Sequence, residues 1–245
     1  MFSCFALTNK GDRTINEDSV GQYVDSDRGL FIVADGLGGH GAGDVASRYV
    51  VEQYLGRYDA SAFDSAERYL SGAFSAIHTG LLALQKERHV DMKSTAAAVI
   101  LTAQKLSLCH IGDTRIYVFA KNKLLYRTLD HSVPQMLVNA GQIREKDIRF
   151  HPDRNRLLRA LGENCDVVDY DMETLLADTV TGVLICSDGF WEYVNEREMR
   201  GALRRAKNAG EWILSMEKTL RKNGRRHERD NYSAIGIMGQ FSECI

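Results

Sequence analysis

Proline is nearly missing from this chain, with 2 residues in 245. Such scarcity argues against a long disordered or linker-rich chain. Neither sign of charge dominates: 31 Lys and Arg face 33 Asp and Glu, for a formal net charge of −2. That near-balance gives no general affinity for nucleic acid or an anionic membrane, so neither is expected as a partner. No apolar run approaches the roughly 20 residues that span a bilayer, and residues 1–10 show no charged-then-apolar leader. The five cysteines, Cys4, Cys109, Cys165, Cys186 and Cys244, are odd in number, widely spaced and never C-x-x-C. Reduced thiols in a cytoplasmic protein fit them better than a disulfide frame or a zinc site.

One stretch stands out. Gly29 to Gly43 reads G-L-F-I-V-A-D-G-L-G-G-H-G-A-G. Leu30 to Ala34 is short, apolar and partly β-branched, the pattern of a buried strand. It ends in Asp35, and a glycine-rich loop is expected to follow. A carboxylate ending a buried strand is costly unless something pairs with it. Glycines beside it let the backbone turn sharply and approach a ligand closely.

The arrangement recurs. Asp113 follows C-H-I-G, Asp188 follows L-I-C-S, and Asp230 precedes the last apolar run in R-D-N-Y-S-A-I. Adjacent antiparallel strands can bring such ends to one end of a sheet, where Glu17 and Asp18 join from an early polar turn. Each Asp-Gly pair alone is an ordinary turn; the whole set points to a centre where cations cancel repulsion. All-oxygen donors suit Mg²⁺ or Mn²⁺ rather than zinc. Two such ions about 3.5–4 Å apart deprotonate a bridging water for attack on phosphorus. Arg13, five residues before Asp18, offers a guanidinium fork for phosphate oxygens.

Gly36, Gly38 and Gly41 also match G-x-G-x-x-G, the dinucleotide fingerprint. Against that reading, Asp35 would point a carboxylate at the pyrophosphate. The next segment also reads as a second helix, not the parallel strand of a βαβ unit. A Walker loop fails because Asp44, not Lys-Ser/Thr, follows Gly43.

Strands are expected over 4–8, 20–24 and 29–34, then helices over 44–58 and 62–88. Hairpins follow at 94–102 with 105–111 and at 115–120 with 123–128. Residues 130–161 are polar, arginine-bearing and only briefly helical, and 134–156 reads as a flap that selects substrates. Strands at 167–174 and 181–186, helices at 196–206 and 210–222, and a strand at 232–239 close the chain. This segregated order predicts an α+β fold of antiparallel sheets with helices, in one domain over 1–245.

Taken in order, R-T-I-N-E-D (13–18), A-D-G-L-G-G-H-G (34–41), G-D-T-R (112–115), D-H-S (130–132), C-S-D-G-F-W-E (186–192) and R-D-N-Y-S (229–233) span nearly the whole chain. The series resembles the metal-dependent protein serine/threonine phosphatases of type 2C, in their compact bacterial form. The resemblance implies an α/β/β/α sandwich of two mainly antiparallel sheets flanked by helix pairs. It implies that Asp35 bridges two Mn²⁺ or Mg²⁺ ions, that the Gly36 carbonyl ligates one, and that Asp188 and Asp230 complete the other. Glu17 and Asp18 would act through bound waters, and Arg13 would bind the substrate phosphate. Asp113 and Glu192 mark a possible third ion, with Glu192 standing where Asp is usual. Leu37 occupies the position of a histidine in eukaryotic relatives, which leaves His40 or a metal-bound water as proton donor. His110 and His131 read as structural. The expected activity is hydrolysis of phosphoserine and phosphothreonine by a metal-bridging hydroxide, on phosphoproteins made by a serine/threonine kinase. A catalytically dead binding module on the same scaffold is the rival, disfavoured by the full set of carboxylates.

Overall fold

The structure, a computed structural model, describes residues 1–38, 42–58, 61–121 and 123–239. In chain order its strands begin with β1 (Phe2–Asn9), β2 (Asp18–Asp25), β3 (Arg28–Gly38), β4 (Met92–Ser94) and β5 (Ala96–Leu101). They continue with β6 (Lys105–Ile111), β7 (Arg115–Ala120), β8 (Lys123–Arg127), β9 (Asp171–Leu176), β10 (Val180–Cys186) and β11 (Tyr232–Gly239). The helices are α1 (Gly43–Gly56), α2 (Ser61–Asp64), α3 (Ala66–Arg88), α4 (Val133–Asn139), α5 (Asp188–Trp191), α6 (Glu196–Arg205) and α7 (Ala209–Asn223).

One sheet has the order β1-β11-β10-β7-β8 and the other β2-β3-β5-β6-β9, with β4 paired to the end of β3. Every pairing between these strands is antiparallel. The period-2 alternation of side chains assigns three apolar layers. On β3, Leu30, Ile32 and Ala34 face α1 and α3, packing with Val50, Phe74 and Ile77. Phe31 and Val33 point the other way, into the space between the sheets, with Val99, Val118, Ile185 and Ile235. Leu184 and Cys186 on β10 pack outward against Trp212, Ile213 and Met216 of α7. The result is the α/β/β/α sandwich. Leu30–Ala34 is continuously apolar because its sheet is covered on both faces.

Several boundaries differ from expectation. β3 does not stop at Asp35. It runs to Gly38 because Gly36, Leu37 and Gly38 pair with Ser94, Lys93 and Met92 of β4. The expected helix over 62–88 is broken at Ser65, which precedes α3 with non-helical φ −140° and ψ 64° and makes no side-chain cap. The strand expected at 167–174 starts at Asp171, where it gains β6 as partner. Asp188 does not merely end β10; it opens the short helix α5. The segment 134–156 holds all but the first residue of α4 and a 3₁₀ turn, Glu145–Phe150. No described helix is long and apolar enough to cross a membrane.

Candidate active site

The two sheets hold a cleft of about 460 Å³ lined by Arg13, Glu17, Asp35, Asp113, Asp188 and Asp230, with the Gly36 backbone among them. These groups come from both sheets rather than from neighbouring strands of one. Asp18 and Asp35 face each other across the β2–β3 ladder of one sheet. Asp188 and Asp230 adjoin β10 and β11 of the other, and Asp113 sits in the β6–β7 connection that passes between them. Asn155 and Leu157, from the segment after the 3₁₀ turn, complete the wall.

Backbone closeness builds the floor. A Cβ on Gly36 would lie 1.9 Å from the Gly43 carbonyl oxygen, so only glycine lets β3 and the start of α1 meet there. Gly11 takes φ +60°, and a Cβ on it would lie 2.2 Å from the Asp230 carbonyl. Its turn is clamped onto the approach to β11. Arg229 donates to the Asp12 carboxylate through Nε (2.9 Å) and Nη2 (2.7 Å). Asn231 Oδ1 accepts from Glu17 N–H (2.8 Å), and its Nδ2 donates to the carbonyls of Lys10 and Ile15 (both 2.9 Å). Ser187 joins the sheets: its hydroxyl donates to Asp18 Oδ2 (2.7 Å) and accepts from Ser233 N–H (2.9 Å).

The crowding of carboxyls registers in their protonation. Burial first, and then Asp18, Asp188, Asp113 and Asp230, push Asp35 well above the usual carboxylate range. Burial and repulsion from Asp113, Glu192, Asp230 and Asp18 do the same to Asp188. Burial raises Asp18 to about 7, against the Ser187 and Ser233 hydrogen bonds, and raises Asp113 to about 7 with help from Asp130. Asp18 Oδ1 is buried and has no hydrogen-bond partner among the described residues. Mutually repelling acids, an orphaned carboxylate oxygen and an all-oxygen donor set fit hard divalent cations.

Arg13 stands on Asp230, donating through Nε to Oδ1 (3.0 Å) and through Nη2 to Oδ2 (2.9 Å). The candidate phosphate-binding group and a candidate ligand therefore hold each other. Glu192 does not line the cleft. It accepts from Nε of Arg154 at 2.6 Å and opens onto a second cleft. His40 lies outside the described residues.

The only described group of three potential ligands whose atoms all fall within 4.8 Å is His110, His131 and Asp171. It makes a poor cation site. His131 Nδ1 accepts from Gly112 N–H (3.2 Å), and Arg159 Nη1 lies 3.6 Å from the Asp171 carboxylate. The two rings stack at 4.7 Å, and His110 Nε2 is bonded to the Leu129 carbonyl at 2.9 Å. Cys109 and Arg115 have the C-x₅-R spacing of cysteine-dependent phosphatases. Cys109 is buried on β6 with its thiol pushed well up, so it offers no thiolate nucleophile.

A model of the protein phosphatase 2C family matches residues 9–228. The chain belongs to the protein phosphatase 2C family. The serine/threonine phosphatase stp of Listeria welshimeri is 33% identical over 204 residues, 80% of each chain. Protein phosphatase PhpP of Streptococcus pneumoniae is 29% identical over 203 residues, covering 79% of this chain and 81% of that one. Among solved structures, Staphylococcus aureus Stp1 superposes with a TM-score of 0.87 at 26% identity, over 98% of this chain and 96% of that one. The catalytic domain of PstP in complex with 2 manganese ions superposes at 0.79 with 27% identity, over 97% of each chain.

The type 2C reading gains residues that pattern alone did not single out. Ser187 and Asn231 each flank a motif aspartate, and that adjacency was the available signal. Arg115 is the larger surprise. It is buried and donates to Asp130 through Nε (2.7 Å) and Nη2 (2.6 Å), with its guanidinium carbon 3.5 Å from the Trp191 ring centroid. Trp191 Nε1 in turn donates to the Asp113 carbonyl at 2.9 Å, so the pair supports the cleft from behind. Arg115→Met is expected to destabilise the protein by about 3–5 kcal/mol in urea unfolding, because Asp130 is left buried and unpaired. Adding Asp130→Leu should recover most of that loss. An equally unstable double variant would count against the explanation.

Proposed function

We propose that this chain hydrolyses phosphoserine and phosphothreonine in cytoplasmic phosphoproteins, reversing a serine/threonine kinase. The observation that carries the reading is the convergence of Asp35, Asp113, Asp188 and Asp230 on one cleft beside an arginine fork. Asp35, Asp188, Asp230 and the Gly36 carbonyl would hold two Mn²⁺ or Mg²⁺ ions, with Glu17 and Asp18 acting through waters. When bound, the ions would supply Lewis acidity toward the phosphoryl oxygens and lower the pKa of a bridging water enough to furnish hydroxide.

The protein's own part is placement. Once Asp230 turns to the cations, Arg13 is free to hold two phosphoryl oxygens bidentately as charge grows on them. Ser187 holds Asp18 through Oδ2 and leaves its buried Oδ1 unpaired beside Asp35. Water or His40 gives the departing serine or threonine oxygen its proton. A third ion at Asp113 would require Glu192 to leave Arg154. Until then the Arg154–Glu192 bridge ties the flap to the segment that begins at Asp188.

Phosphate release from phosphoserine, phosphothreonine and phosphotyrosine peptides across a Mn²⁺ titration tests the reading. Release from the first two, absent in chelator, is expected. A folded sample inert throughout the Mn²⁺ titration, and inert with Mg²⁺ in its place, would favour a binding module. Arg154→Gln should raise the peptide KM several-fold while leaving p-nitrophenyl phosphate turnover unchanged. An equal effect on both would remove the flap from substrate selection.

A further inference from the structure

We propose that the groove between α6 and α7 docks an acidic, Asp/Glu-rich segment of the phosphoprotein substrate; the inference rests on the phosphatase reading and deepens it. The chain's net charge of −2 conceals a local excess. Arg197, Arg200, Arg204, Arg205 and Lys222 line a groove of about 840 Å³ with Glu198 as its one acid. All five cations are exposed.

Helix geometry accounts for their alignment. Met199, Ala202 and Leu203 bury one face of α6, and Arg197, Arg200 and Arg204, at spacings of three and four, take the opposite face. A merely solvated helix would pair such arginines with its own glutamates one turn away. Here those glutamates are committed elsewhere. Glu196 accepts from Arg149 Nη2 at 2.6 Å. Glu198 accepts from Asn195 N–H at 2.9 Å and from Asn223 Nδ2 at 3.3 Å. None of the five groove cations makes a hydrogen bond or ion pair among the described residues. Guanidinium forks left without carboxylates match carboxylates brought by a partner.

The groove connects to the reaction site. It shares Asn195, Glu198 and Asn223 with the second cleft, of about 820 Å³, which reaches Arg154 and Glu192. Arg154 adjoins Asn155 on the wall of the carboxylate cleft. A substrate whose phosphoresidue lies at Asp188 can therefore run past the flap into the groove.

Steady-state kinetics with three substrates test this: p-nitrophenyl phosphate, a short phosphothreonine peptide, and that peptide joined to an acidic run. A neutral spacer of about ten residues, reaching roughly 33 Å, joins the two parts. At low salt the acidic extension should lower KM about tenfold with kcat unchanged. The advantage should vanish in Arg200→Glu/Arg204→Glu and in high salt, with p-nitrophenyl phosphate turnover unaltered. Both positions are exposed, and unchanged thermal melting verifies folding. Equal KM values for the two peptides, or an advantage that survives the double reversal, would overturn the docking surface. If no substrate turns over, the phosphatase reading fails instead. Fluorescence anisotropy of the unphosphorylated acidic peptide then decides docking separately, with binding lost in the double variant as support and no binding as refutation. Sedimentation of the wild type with phosphatidylserine vesicles, without preference for the acidic peptide, would assign the groove to a membrane and overturn the proposal.

Discussion

Asp35→Asn and Asp188→Asn are each expected to lower Mn²⁺-dependent phosphate release at least ~10³-fold, about 4 kcal/mol of transition-state stabilisation. The same substitutions should raise the melting temperature of the metal-free protein near pH 8, by about 5 °C. Both outcomes follow from one cause. Burial and the neighbouring acids make the charged forms of these side chains unfavourable in the fold. Asparagine keeps the shape and removes that charge. A residue retained for stability would behave oppositely, losing melting temperature along with activity. Asp35 is suited to the test because the hydrogen bonds described for it go through its backbone: N–H to Thr95 Oγ1, and carbonyl from Thr95 N–H and Ser94 Oγ. Substituting its side chain therefore leaves the strand's anchors intact. Calorimetry in chelator beside phosphate release in Mn²⁺ reads both. Retained turnover, or a drop in metal-free melting temperature, would refute the assignment.

The fold and much of the cleft could be read from the chain because the strongest local signals agree with the global architecture. Leu30–Ala34 reads as a buried strand and is one, since a strand covered on both faces needs apolar residues at every position. The strand-end aspartates were visible as charges interrupting apolar runs. What escaped had no periodic signature. Glycines 36 and 38 carry no side chain from which to read an extended strand, and the three-residue β4 that pairs with them is too short to show alternation. Ser65 breaks a helix whose apolar spacing continues on either side. Arg13's grip on Asp230 spans 217 residues in sequence and belongs to the folded geometry alone. Charge composition likewise hid the basic groove, because a near-zero sum says nothing about where the charges lie.

Removing divalent ions should make stability fall as pH rises from about 6.5 to 8.5, and adding Mn²⁺ should cancel that fall. The sign comes from comparing protons bound in the folded and unfolded chains. Unfolded aspartates lose their protons near pH 3.9. Folded Asp18 and Asp113 keep theirs to about 7, and Asp35 and Asp188 are held well above the usual carboxylate range. The folded chain thus binds the extra protons, and each one retained weakens stability by about 1.4 kcal/mol per pH unit. Below about pH 6.5 a second effect opposes this. His110 is lowered to about 4 by burial and by His131, so the unfolded chain takes up the proton first and stability grows with pH there. Burial lowers His131 in the same direction. Toward the upper end of the interval the histidines are neutral in both states, and the carboxyls are joined only near pH 8.5 by thiols such as Cys109 and Cys186, which burial raises and which steepen the fall. With two carboxyls still protonated, the metal-free melting temperature should drop on the order of 10 °C across the interval. Cations that bind only the ionised, folded cluster reverse the linkage, because each proton released strengthens their hold. Scanning calorimetry in chelator and in Mn²⁺ separates the two curves. A melting temperature that is flat or rising in chelator over this interval would mean that burial and the neighbouring acids do not hold these aspartates above the usual carboxylate range.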